Sequence, residues 1–229
     1  MRLPASAAAD SETAGLPAGP GERFSGYGVM GLPFTSGHVL AMRRFSASSI
    51  GPAYTSVWHR DPDGRWVFWQ DQPADRSCPR YFSNAVSEAR TVDIDVSWPS
   101  GATLRVLVPE VGLVWSATMT STPVTRLLSA VGRAMPDRAW RSPPLLKAMG
   151  PLAGFAMRAQ KVGMVGTSPN GQDFVANPLQ VWVIDESHAL LGDDDLGPSG
   201  PLREQAHLGD FWIPQRGVFA VGKAVFRPG

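Results

Sequence analysis

The chain has 229 residues, and its 21 Lys+Arg against 20 Asp+Glu leave a net charge of +1, too little to steer it toward nucleic acid. Hydrophobic residues are 43% and charged residues 18%, a balance that excludes a disordered chain and suits a domain with a sizeable core. The single cysteine, Cys78, excludes an intrachain disulfide and a C-x-x-C metal or redox pair, and with no secretory h-region at the N-terminus a cytoplasmic location is expected.

Residues 1–22, rich in Ala, Pro and Gly, read as a disordered tail, and 23–229 as one domain. The run YTSVWHRDPDGRWVFWQDQ (54–72) holds two β-rich segments around Asp61-Pro62-Asp63-Gly64, with Gly64 where a left-handed residue is wanted. A three-residue loop places Trp58 opposite Phe68, and puts His59 on one face with Val67, Trp69 and Asp71. A second hairpin, 91–108, alternates Val92, Ile94, Val96 and Trp98 with polar residues; a three-residue loop there sets Asp95 opposite Arg105. A further strand is expected over 113–120.

The period then changes from two to 3.6. Thr122 before Pro123, and Ser142 before Pro143, are helix starts, and Val124, Leu127, Leu128 and Val131 follow at helical spacing. A helical hairpin inserted at about 123–160 is the expectation. It is read as a plug, as a lid over an apolar pocket, or, given Arg126, Arg133, Arg138, Arg141 and Lys147, as a site of peripheral membrane contact without stable insertion. Strand character resumes at 162–167 and 173–184, and the chain closes with GVFAVGKAVF, 217–226. Successive hairpins with one apolar face predict a mainly β fold, an antiparallel lipocalin-like barrel of roughly eight to ten strands able to hold a ligand inside.

No G-x-G-x-x-G, Walker lysine, H-E-x-x-H or G-x-S-x-G is present, which excludes the chemistries those motifs carry, and no cofactor or metal is expected. His38, His59, His188 and His207 have no metal-ligand spacing. His59 and Asp71 form a candidate acid/base pair if their shared face meets the interior; otherwise His59 is a hairpin-mouth residue bonded to Asp61 or solvent. Asp173 and Asn177 share a face of their strand, toward either a ligand or solvent. Asp93 and Asp95 suit an outer face, the Asp193–Asp195 cluster a solvated loop, and Cys78 a plain thiol.

The strand-rich layout over 26–226, the runs YTSVWH and GRWVFW and the mid-chain helices resemble lipocalin-like calycin proteins of the carotenoid-hydratase and AttH type. The resemblance implies hydration, cyclisation or isomerisation of a polyene, terpenoid or polyketide-type molecule in a Trp-lined barrel. Asp71, His59 and Asp173 are then the catalytic candidates. Trp58, Trp69 and Trp182 are candidate walls, with Tyr27, Tyr54 and Asn177 as further substrate contacts. The alternative is a non-catalytic carrier or sensor of an apolar small molecule.

Overall fold

A computed structural model describes residues 2–136 and 138–229. The chain begins with helix α1 (Pro4–Glu12), then strands β1 (Glu22–Pro33), β2 (Val39–Ser48), β3 (Tyr54–Arg60) and β4 (Trp66–Gln70), and a helical turn α2 (Pro79–Phe82). Strands β5 (Glu88–Thr91), β6 (Asp95–Ser97), β7 (Thr103–Val108) and β8 (Leu113–Thr120) precede helices α3 (Pro123–Ala134) and α4 (Pro143–Ala156). The remainder is β9 (Val165–Thr167), β10 (Asp173–Leu191), β11 (Asp194–Asp195), the small ribbon β12 (His207–Leu208) and β13 (Phe211–Trp212), and β14 (Val218–Arg227).

Twelve of these strands form one sheet with the path β5-β4-β3-β2-β1-β14-β10-β8-β7-β6, to which β9 and β11 add at β10. β4 and β5 run parallel, so the sheet is mixed, a correction to the antiparallel barrel expected from alternation. Three residues, 92–94, join β5 at one end of the path to β6 at the other, which holds the two ends within about 14 Å of each other and curls the sheet. The β3/β4 hairpin has the register its turn demands, with Trp58 against Phe68 and His59 against Val67. In the β6/β7 hairpin Asp95 pairs with Leu107 and Ser97 with Arg105, so the expected Asp95–Arg105 pair does not form. A shift of two keeps every side chain on its face, and the apolar pattern therefore tolerates it.

Because neighbouring strand residues point to opposite faces, the sheet carries two cores. Tyr27, Met42, Val57, Trp69, Trp115, Trp182 and Phe219 pack together on the inner face of the curl. The interior expected to hold a ligand thus houses a cluster of packed side chains. Ala7 and Ala8 of α1 join this core, so the segment expected as a disordered tail contributes a docked helix. Its small alanines allow close approach to the sheet end, and Glu12 accepts from Arg44 of β2 at 3.1 and 3.2 Å. On the outer face Phe24, Tyr54, Trp58, Phe68, Tyr81, Phe82 and Phe226 form the second core.

The helical hairpin lies on that outer face. Thr122 caps α3 by accepting from the Thr125 N–H at 3.1 Å, while Thr125 Oγ1 accepts from the Thr122 N–H at 2.8 Å. Ser129 fastens the helix to β10, its Oγ accepting from the Val181 N–H at 3.0 Å, beside the irregularity at Pro178/Gln180.

Candidate functional site

Between the hairpin and the sheet lies a cavity of about 570 Å³. Its floor is low because the strands beneath carry small residues at alternate positions: Ala220, Gly222 and Ala224 on β14, Gly26 on β1 and Ala176 on β10. Gly26 pairs with Gly222 across the ladder. A Cβ on Gly26 would fall 2.0 Å from the Arg44 carbonyl oxygen, and one on Gly222 would fall 2.2 Å from that of Asn177, so backbone proximity excludes any side chain at either place. The roof is Leu128, Val131 and Gly132 of α3 with Met149, Leu152 and Phe155 of α4. Walls come from Phe45, Tyr54, Trp58, Tyr81, Phe82 and Phe211. Such a lining suits an apolar guest.

Two cationic residues, Arg43 and the half-buried Lys223, are among the lining residues, and Arg43 is the one buried in the walls. Arg43 follows the same strand alternation as Val39, Ala41 and Phe45, which turns it toward the apolar outer face rather than to solvent. It is 5% exposed, and its guanidinium donates to the carbonyls of Val29, Met42 and Met30. The bonds to Val29 and Met30 serve the stretch of β1 where the ladder shifts between Val29 and Leu32, and with the bond to Met42 they use three of the guanidinium's five N–H groups. The guanidinium lies 4.6 Å from the Trp58 ring centroid and 5.3 Å from that of Phe211. Burial lowers its pKa to about 10, an effect opposed by the nearby Cys78 and Tyr54. Among the described residues no carboxylate lies within ion-pair distance of it.

Cys78 is buried, with its Sγ 3.7 Å from the Tyr54 hydroxyl. Burial pushes this thiol up, against hydrogen bonds and the Arg43 charge that act downward, which holds it as a thiol. Tyr81 donates to Glu22 at 2.6 Å and stacks on Phe226 at 3.9 Å, fixing one wall to β1 and β14. Two polar atoms of lining residues are buried without a hydrogen-bond partner, Asn177 Oδ1 and Trp140 Nε1. Each is a hydrogen-bonding group that a guest could satisfy.

The expected site residues divide between the two faces. Trp58, Tyr54 and Asn177 line the cavity. Tyr27 borders its floor, but its ring belongs to the inner core, against Trp98 and Phe219 at 6.4 and 6.0 Å. Trp69 and Trp182 are inner-core residues, Trp182 packing on Phe219 at 5.7 Å, and do not meet the cavity. The three acid/base candidates are also elsewhere. Asp71 closes the β3/β4 hairpin, its Oδ1 accepting from the Thr55 N–H at 2.8 Å, four residues or about 13 Å along the sheet from His59. His59 bonds His38 at 2.9 Å and lies nearly parallel to Trp69. Asp173 is exposed and accepts from Thr167 Oγ1 at 2.9 Å.

Sequence reasoning passed over Arg43 and the glycine–alanine floor. The signals were an arginine at an apolar phase of VLAMRRF and small residues at every second position of VFAVGKAVF. Among the described residues no group of three or more His, Cys, Asp or Glu is placed to hold a metal ion.

No family model matches the chain, and no curated protein matches it. Among solved structures, the crystal structure of acetoacetate decarboxylase from Legionella pneumophila subsp. pneumophila str. Philadelphia 1 is similar, with a TM-score of 0.43 and 11% identity over 93% of this chain and 86% of that one. At that level nothing is transferred from it to this chain.

Proposed function

We propose that this protein binds one elongated apolar small molecule with a hydrogen-bond-accepting or anionic end, and acts as its carrier or sensor. The observation that carries this reading is the union of a 570 Å³ apolar cavity with a buried arginine that no described carboxylate neutralises. An uncompensated buried cation is unfavourable, and a ligand carboxylate at the two remaining N–H groups of Arg43 would offset much of that cost. Polyene, terpenoid and polyketide-type acids all have the required body.

Acid/base turnover in the same cavity finds less support. None of the residues lining the cavity is Asp, Glu or His, and burial holds the lining Cys78, Tyr27, Tyr54 and Tyr81 in their protonated forms, which leaves Lys223 as the remaining group there suited to proton transfer.

Calorimetric titration with a long-chain fatty acid, a polyene carboxylic acid and their methyl esters tests the reading. The acids should bind at least about tenfold more tightly than the esters, the equivalent of 1.4 kcal/mol. Arg43→Met should remove that preference while leaving ester binding in place. Failure of every apolar probe to bind the wild-type chain would overturn the proposal, and an acid preference that survives Arg43→Met would reject the role of Arg43.

A further inference from the structure

The outward surfaces of α3 and α4 are apolar although nothing covers them. Leu127 is 65% exposed, Leu152 69% and Phe155 85%, with Val131 and Leu145 also exposed. Leu145, Leu152 and Phe155 fall on one stripe of α4 by helical spacing, and Leu127 and Val131 stand one turn apart on α3. This is not one stray leucine but five large side chains on two consecutive helices that roof the same cavity, and exposed apolar surface of that extent marks an interaction site.

Charge identifies the partner. Between residues 121 and 163 the sequence has seven basic residues, Arg126, Arg133, Arg138, Arg141, Lys147, Arg158 and Lys161, against the single acid Asp137, a net charge of +6. The rest of the chain has 14 basic and 19 acidic residues, or −5, so a nearly neutral protein is strongly polarised toward this hairpin. Arg126, Arg133, Arg138, Lys147 and Arg158 are exposed; the side chain of Arg141 lies outside the described residues. Arg126 and Arg133, seven residues apart, share one flank of α3 beside the Leu127 stripe. Apolar stripes flanked by cations are the pattern of helices that lie in the interface of an anionic bilayer. No helix among the described residues is long and apolar enough to cross a membrane.

We propose that the α3–α4 hairpin docks flat on an anionic lipid surface, with Leu127, Leu145, Leu152 and Phe155 entering the headgroup boundary and the basic residues meeting lipid phosphates. Val131, Leu152 and Phe155 also belong to the cavity roof, so the docked face and the entrance for an apolar guest are the same surface. Docking itself needs no ligand and stands apart from the carrier reading; passage of the guest through this face rests on it.

Co-sedimentation of the full chain with phosphatidylcholine vesicles, with and without about 30% phosphatidylserine, is the test. Association is expected with the anionic vesicles, weak with the neutral ones, and reduced at least about tenfold at 0.5 M salt. Arg133→Glu/Lys147→Glu and Leu127→Ser/Leu145→Ser should each reduce it by about tenfold or more. None of these four residues lines the cavity, so binding of soluble ligand should be unchanged in both variants, and circular dichroism checks their fold. Equal association with neutral vesicles, no association with anionic ones, or insensitivity to both double variants would overturn the proposal. So would a stable dimer that the Leu127→Ser/Leu145→Ser variant dissociates, since a second copy would then be what covers the patch.

Discussion

His59 Nε2 and His38 Nδ1 lie 2.9 Å apart, their rings within 16° of parallel, with Trp69 alongside His59 at 5.5 Å and 11°. One nitrogen of that contact must accept, so the pair cannot take up a second proton between the rings without losing its bond. Burial, and secondarily His38, lowers His59 to about 4, and burial also lowers His38. The unfolded chain protonates His59 near 6.5 while the native chain does so near 4, so the unfolded state holds more protons throughout that window. Stability therefore falls as pH drops from 6.5 toward 4, by up to about 3 kcal/mol from His59. Urea unfolding of wild type and His59→Gln at pH 7.5 and 4.5 measures it. The wild type should lose more stability than the variant, and equal losses would refute the assignment.

Gly132 bears directly on the roof. A Cβ there would lie 2.6 Å from the Pro178 carbonyl oxygen and 3.1 Å from that of Leu179, both backbone atoms of the strand beneath. Gly132→Val must lift α3 off β10, with an expected loss of about 1–3 kcal/mol in chemical unfolding and weaker ligand binding. Unchanged stability would show that the helix does not pack as closely as described.

Arg158 and Gln160, just beyond α4, have φ of 55° and 57°. Left-handed backbone disfavours a side chain bearing Cβ by roughly 1–2 kcal/mol, so Arg158→Gly and Gln160→Gly should each raise the urea midpoint, whereas Arg158→Ala should not. A loss on both glycine substitutions would count against this geometry.

Tryptophan fluorescence should report ligand through specific indoles. Trp58 and Trp140 line the cavity, while Trp115 and Trp182 are buried in the inner core. Trp58→Phe and Trp140→Phe should each diminish the change on ligand addition, and Trp182→Phe should leave it nearly intact. A signal lost only in Trp182→Phe would move the ligand to the inner core.

Local chemistry was the legible part of the sequence. The Asp61–Gly64 turn determines the register of β3 on β4, and Thr122-Pro123 and Ser142-Pro143 mark the starts of α3 and α4. What alternation leaves open is which apolar face meets a void. Trp69 and Trp58 sit eleven residues apart on one hairpin, yet one fills the inner core and the other borders the cavity, because the pleat sends odd and even positions to opposite sides. For want of that knowledge, alternation leaves Asp71 and Asp173 open to an interior or a solvent-facing reading alike. The floor was illegible for a different reason: Gly26 and Gly222 resemble weak strand residues until their cross-strand pairing is known.

β14, the last strand in chain order, lies in the middle of the sheet, between β1 and β10. The two parts of the sheet, one ending at β1 and the other at β10, can therefore be joined only when residues 218–227 insert between them. Joining them pairs Glu22 with Phe226, a contact of long sequence separation, the kind whose loop-closure entropy slows folding. The same insertion lays down Ala220, Gly222 and Ala224, so the pocket floor comes into being only when the two halves join.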